Sequence, residues 1–77
     1  MEDLILLLIE PLVSDIKKIS IEKIAEGDGV KFAVSVPKDE IAKVIGREGK
    51  MIKAIKNLVK IRAIKENMYV SIDVQEA

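Results

Sequence analysis

A chain of 77 residues, 49% of them apolar and with only Phe32 and Tyr69 aromatic, can build one small aliphatic core and is too short for two. It contains no Cys, no His and no Thr, which removes disulfide staples, thiolate and imidazole metal ligands, and every Ser/His or Cys/His nucleophile pair. Formal charge is zero overall, yet Lys38–Lys65 holds nine basic and three acidic residues, so this segment carries +6 and the remainder −6, an asymmetry that points either to an anionic partner or to a solvated lysine face.

The chain opens with the apolar run Leu4–Ile9, six residues where a bilayer span needs roughly 20. With no basic n-region or small-residue cleavage pattern beside it, the expectation is a cytoplasmic protein with no membrane partner. Leu4, Ile5, Leu8, Ile9, Leu12, Val13 and Ile16 recur at helical spacing, so the pattern predicts a helix from Leu4 to about Lys18, kinked or restarted at Pro11. Ile19, Ile21 and Ile24 alternate weakly with polar neighbours and predict a first strand. Gly27-Asp28-Gly29 is a turn signal, and Val30, Phe32, Val34 and Val36 alternate with Lys31, Ala33 and Ser35 as a half-buried strand does.

Pro37 stops that strand. Lys38-Asp39-Glu40 opens a short helix with acids near its positive end, and Ile41, Val44 and Ile45 share one of its faces. After Gly46 and Gly49 the helical pattern resumes at Lys50. Met51, Ile52, Ile55, Leu58 and Val59 fall on one side, and Lys50, Lys53, Lys56 and Lys60 on the other. Beyond Lys60 the apolar phase slips at Ile61, Ala63 and Ile64. Asn67 is a helix stop, and Val70, Ile72 and Val74 mark a third strand. The order is helix, strand, strand, helix, helix, strand: an α+β chain whose three-stranded sheet is covered on one face by three helices, with residues 1–77 as a single domain.

Two glycines inside a strong amphipathic pattern cost roughly 1 kcal/mol each in a helix interior, so Gly46-Arg47-Glu48-Gly49 marks an elbow. Two helices that meet closely need a tight turn, and glycines alone account for that. The same elbow also starts a helix, so the N–H groups of Gly49, Lys50 and Met51 are expected to lack intrahelical partners and to face an anion beside Arg47 and Lys50. A Walker A loop is excluded because no hydroxyl follows Lys50. A dinucleotide fingerprint is excluded because no strand precedes the loop and a third glycine is missing.

Val44-Ile45-Gly46-Arg47-Glu48-Gly49-Lys50 resembles the signature of the KH domain, whose G-x-x-G loop clamps about four single-stranded nucleotides. The element order α-β-β-α-α-β is similar to the prokaryotic type II KH fold. With "EPLV" in the first helix, the chain is similar along nearly its whole length to the small bacterial single-KH RNA-binding proteins of the KhpA-like group. The resemblance implies backbone contact to phosphates at Gly46, Arg47, Glu48 and Gly49. It also implies a groove wall formed by Lys43, Lys50 and Lys53, with aliphatic residues such as Ile45 beneath the bases. The Glu48 carboxylate departs from a basic clamp and would repel phosphate unless it points away or pairs with Arg47 or Lys50.

The function so implied is binding of single-stranded RNA with low sequence specificity, as an RNA chaperone or post-transcriptional regulator. Single-stranded DNA is an alternative ligand. Such proteins are also expected to pair, as a homodimer or as a heterodimer with another KH protein. Leu6, Leu7, Ile61 and Ile64 are apolar residues that either form such a seam or complete the core. No paired-carboxylate motif and no metal-ligand spacing occurs, so neither an enzyme nor a cofactor is expected.

Overall fold

A computed structural model describes residues 1–77. Helix α1 (Glu2–Ile9) begins with Glu2 and Asp3 at the positive end of its dipole and buries Ile5 and Ile9 completely. It is shorter than the apolar spacing predicts. Glu10–Leu12 forms a 3₁₀ turn with Pro11 inside it, and Val13 is extended (φ −122°, ψ 156°). A second 3₁₀ turn, Ile16–Lys18, follows, and the Asp15 carboxylate accepts the Lys17 amide at 3.0 Å. Proline cannot donate to the preceding turn and its ring clashes with it, so the helix ends instead of kinking. Leu12, Val13 and Ile16 still pack against the core, but from a wrapped loop.

Strands β1 (Ser20–Glu26) and β2 (Gly29–Val36) form an antiparallel hairpin in register from Ser20 opposite Ser35 to Glu26 opposite Gly29. The turn is therefore only Gly27-Asp28, with Gly27 at φ 54°. Strand β3 (Val70–Glu76) pairs in parallel with β2, from Val30 opposite Val70 to Val36 opposite Glu76. A parallel pair needs a crossover. It is supplied by α2 (Ile41–Ile45) and α3 (Lys50–Lys65), giving the α-β-β-α-α-β order and the sheet order β1-β2-β3 of a type II KH fold.

Period-two alternation sends Phe32, Val34, Val36 and Ile72 to the helix-covered face, where they meet Ile5, Ile9, Ile19, Val44, Ile55 and Val59 in one core. The opposite face holds the Lys31–Asp73 ion pair at 2.8 Å and a bond from the Gln75 amide to the Ser35 hydroxyl at 3.1 Å. Ile24 falls out of phase with Ile21 and stays partly exposed on the outer side of the hairpin.

The long helix also departs from its expected phase. Ala63 is buried four residues beyond Val59, which is four beyond Ile55, so the inward stripe runs unbroken to the last turn. Leu58, placed on that stripe by spacing, is half-exposed, and Ile61 and Ile64 face solvent. The helix stops where Asn67 takes φ 54°. The Met68 amide reaches the Ala63 carbonyl at 2.8 Å and the Asn67 amide the Ile64 carbonyl at 3.2 Å, the paired bonds of a left-handed C-terminal cap.

Candidate nucleic-acid interface

The elbow is built from both sides. Before it, the amides of Glu40 and Ile41 donate to the Pro37 carbonyl at 2.9 and 3.0 Å, and buried Val44 anchors α2 in the core. At its end the Gly46 amide donates to the Ala42 carbonyl at 2.9 Å. Gly46 has φ 77° and ψ 174°, a conformation open in practice only to glycine. A Cβ there would lie 2.6 Å from the Met51 Cβ and 3.0 Å from the Met51 nitrogen. Gly46 therefore lets the end of α2 close directly onto the first turn of α3.

Arg47–Gly49 then forms a 3₁₀ turn in which Glu48 (φ 56°, ψ 24°) and Gly49 (φ 74°, ψ 14°) are both left-handed. This winding corrects one expectation. The Gly49 amide donates to the Gly46 carbonyl at 3.2 Å, and the Lys50 amide to the Arg47 carbonyl, so two of the three amides predicted to be bare are bonded within the elbow. For Glu48 the left-handed backbone costs roughly 1–2 kcal/mol, and a strained non-glycine residue in an exposed loop is a mark of functional sites.

Charge at the elbow resides on side chains. Arg47, Lys50 and Lys53 are exposed and belong to no ion pair. Lys56 and Lys60, left out of the predicted site, extend the same unpaired row along α3. Lys56 also acts on β3: the Asp73 carboxyl lies below the ordinary carboxylate range chiefly through its hydrogen bond and ion pair with Lys31, and Lys56 adds to the effect. Glu48 forms no ion pair with Arg47 or Lys50, so its charge stays uncompensated.

Lys43 differs from the other predicted site residues. Its ammonium lies 3.3 Å from Oε2 of Glu40, a carboxylate only 8% exposed. Oε1 of Glu40 accepts the Ser14 hydroxyl and, at 3.4 Å, the Ser14 amide. The Ser14 hydroxyl bond is the main reason the Glu40 carboxyl lies below its ordinary value; burial opposes it and Lys43 assists. This contact ties the loop after α1 to the start of α2 across 26 residues, and no local pattern signals it. Ile45 is half-buried at the end of α2, directly before Gly46.

A sequence model described as KhpA/KhpB, KH domain, matches residues 2–74. The chain belongs to this KH-domain family. Curated relatives cover it end to end. RNA-binding protein KhpA of Chlamydia caviae is 32% identical over 76 residues, which is 99% of this chain and 97% of the relative. The protein of the same name from Listeria monocytogenes is 30% identical over 76 residues, 99% and 100% of the two chains. That from Clostridium perfringens is 28% identical over 74 residues, 96% and 99%. In this chain the G-x-x-G sequence stands between the two crossover helices, with the lysine row of α3 leading away from it.

Proposed function

We propose that this chain binds single-stranded RNA by its backbone, with Gly46–Gly49 as the clamp and the lysine row of α3 as the wall of the groove. The observation that carries the proposal is the unpaired state of Arg47, Lys50 and Lys53 at an elbow where glycine keeps side chains out of the way. The family membership and the names of its relatives point the same way. Because Gly49 and Lys50 amides are already bonded, Arg47, Lys50 and Lys53 supply most of the attraction, helped by the positive end of the α3 dipole. Lys43 contributes less, since Glu40 offsets it. Contacts of this kind position phosphates and read little sequence, which suits an RNA chaperone or post-transcriptional regulator.

Replacing Arg47 and Glu48 together by Asp tests the clamp. Asp tolerates a left-handed backbone, so the fold should persist while binding is lost. A gel shift at fixed salt beside a thermal melt measures both, and undiminished binding sinks the proposal. Competition between RNA and DNA of one sequence decides which strand is preferred.

A second reading, pairing with another copy or another KH protein, is favoured by Leu7, Ile61 and Ile64, which are 66%, 56% and 64% exposed. Leu6, grouped with them on sequence, is half-buried. Sedimentation equilibrium tests the homodimer, and a strict monomer at high concentration refutes it.

A further inference from the structure

A second concavity of the molecule lies away from the elbow. It is an open groove of about 720 Å³ at the other end of α3, between the last helical turns, the start of β3 and the hairpin turn. Lys60 and Ile64 line it from the helix, Met68 and Tyr69 from the segment before β3, and Glu26 and Asp28 from the hairpin rim. Along α3 the lysine row leads from Lys50 at the elbow, through Lys53 and Lys56, to Lys60 at this groove. From Gly49 to Lys60 the helix advances about 16 Å.

Tyr69 is 76% exposed in a chain with only one other aromatic residue, which is buried Phe32. Its backbone is nevertheless fixed. The Tyr69 carbonyl accepts the Val30 amide at 2.8 Å, and Gly29 lies so close that an added Cβ would stand 2.6 Å from that carbonyl oxygen. The point from which the side chain springs is therefore fixed, and the ring itself is open to solvent. Aromatic faces in such grooves stack nucleobases with little regard to sequence.

The acidic rim decides which part of a nucleotide enters. Carboxylates only accept hydrogen bonds, so Glu26 and Asp28 repel phosphate and suit the amino group of a base. Lys60, on the helix side, suits the phosphate.

We propose that this groove is a nucleobase subsite at the far end of the lysine row, where a base bearing an exocyclic amino group stacks on Tyr69. The inference rests on the RNA-binding reading and extends it from a clamp of about four nucleotides to a longer track.

Tyr69 is the only tyrosine and tryptophan is absent, so intrinsic emission reports on this groove alone. The test titrates the intact protein with cytidine tetramers and octamers and a uridine octamer, following Tyr69 emission and the anisotropy of end-labelled RNA. The cytidine octamer should quench Tyr69 and bind about tenfold more tightly than the tetramer, which should bind without quenching. Tyr69→Ala should reduce the octamer to tetramer affinity and leave the tetramer unaffected. An octamer that binds without altering emission, or that binds Tyr69→Ala as well as the parent, overturns the subsite while leaving the clamp standing. Equal quenching by uridine and cytidine octamers overturns the amino preference. Absence of binding by any of the three RNAs overturns both readings.

Discussion

The hairpin turn at Gly27–Gly29 and the elbow at Gly46–Gly49 solve similar steric problems and serve different chemistry. Each has one glycine with a left-handed φ and open space where a Cβ would stand: Gly27 at 54° and Gly49 at 74°. Each also has one glycine where an added Cβ would meet a neighbour at 2.6 Å: the Tyr69 carbonyl oxygen at Gly29 and the Met51 Cβ at Gly46. Gly46 alone combines contact with a φ of 77°. The first turn is bordered by Glu26 and Asp28, the second by Arg47, Glu48 and Lys50. A glycine turn thus sets only how closely two segments approach; the side chains around it determine what the approach is for.

The four glycines rank the steric terms. Gly46→Ala should cost most, about 3 kcal/mol, because a glycine-only conformation and a clash with Met51 act together. Gly29→Ala should cost about 2 kcal/mol from overlap with a backbone carbonyl that cannot rotate away. Gly27→Ala and Gly49→Ala should each cost about 1 kcal/mol, the left-handed penalty alone. Urea denaturation measures all four, and equal losses would mean that φ governs and the close approaches are incidental.

The same two turns show what the sequence makes legible. Both were readable as turns, because glycine spacing between periodic segments is a local signal. So were β2 and β3, whose alternation is strict, and the stop at Asn67. The end of α1 was not: apolar residues at Leu12, Val13 and Ile16 keep helical spacing while packing from a loop, so periodicity records burial and not backbone shape. Ala63 escapes the pattern for a related reason, since a small residue between two exposed isoleucines looks like a loss of phase although it continues the buried stripe. At the candidate site, residue types and their clustering were readable. Their bonding was not: the amides of Gly49 and Lys50 turn inward through two successive left-handed residues, and Lys43 meets a carboxylate held by Ser14. Tyr69 gave no signal, because one aromatic before a strand is ordinary until the fold sets it in a groove.

The elbow has a brace that the hairpin turn lacks, the Ser14–Glu40 contact, and acid should loosen it. The Glu40 carboxyl titrates below its ordinary 4.5 in the folded chain. Its contribution to stability is therefore complete above that pH and is lost as pH falls through the lower folded value. Glu40→Gln should be less stable than the parent at pH 7, and the gap should narrow as the pH drops below 4.5. Thermal melts at pH 7 and pH 3 measure it. A gap that stays constant would show that the contact acts through packing and not through charge.

The smallest effect separates the unpaired lysines beside the elbow from the paired one in the sheet. Each phosphate contact on a single strand contributes about 0.7 to the slope of log K against log salt. Lys53→Ala should lower RNA affinity modestly for every sequence and flatten that slope by about this amount, because Lys53 has no protein partner to keep it from a phosphate. Lys31→Ala removes the same formal charge from a lysine held 2.8 Å from Asp73 on the outer face of the sheet, and the slope should not change. Two variants of equal net charge then differ only in where the charge stood. If both flatten the slope alike, overall charge governs the attraction, and the row from Lys50 to Lys60 has no special role.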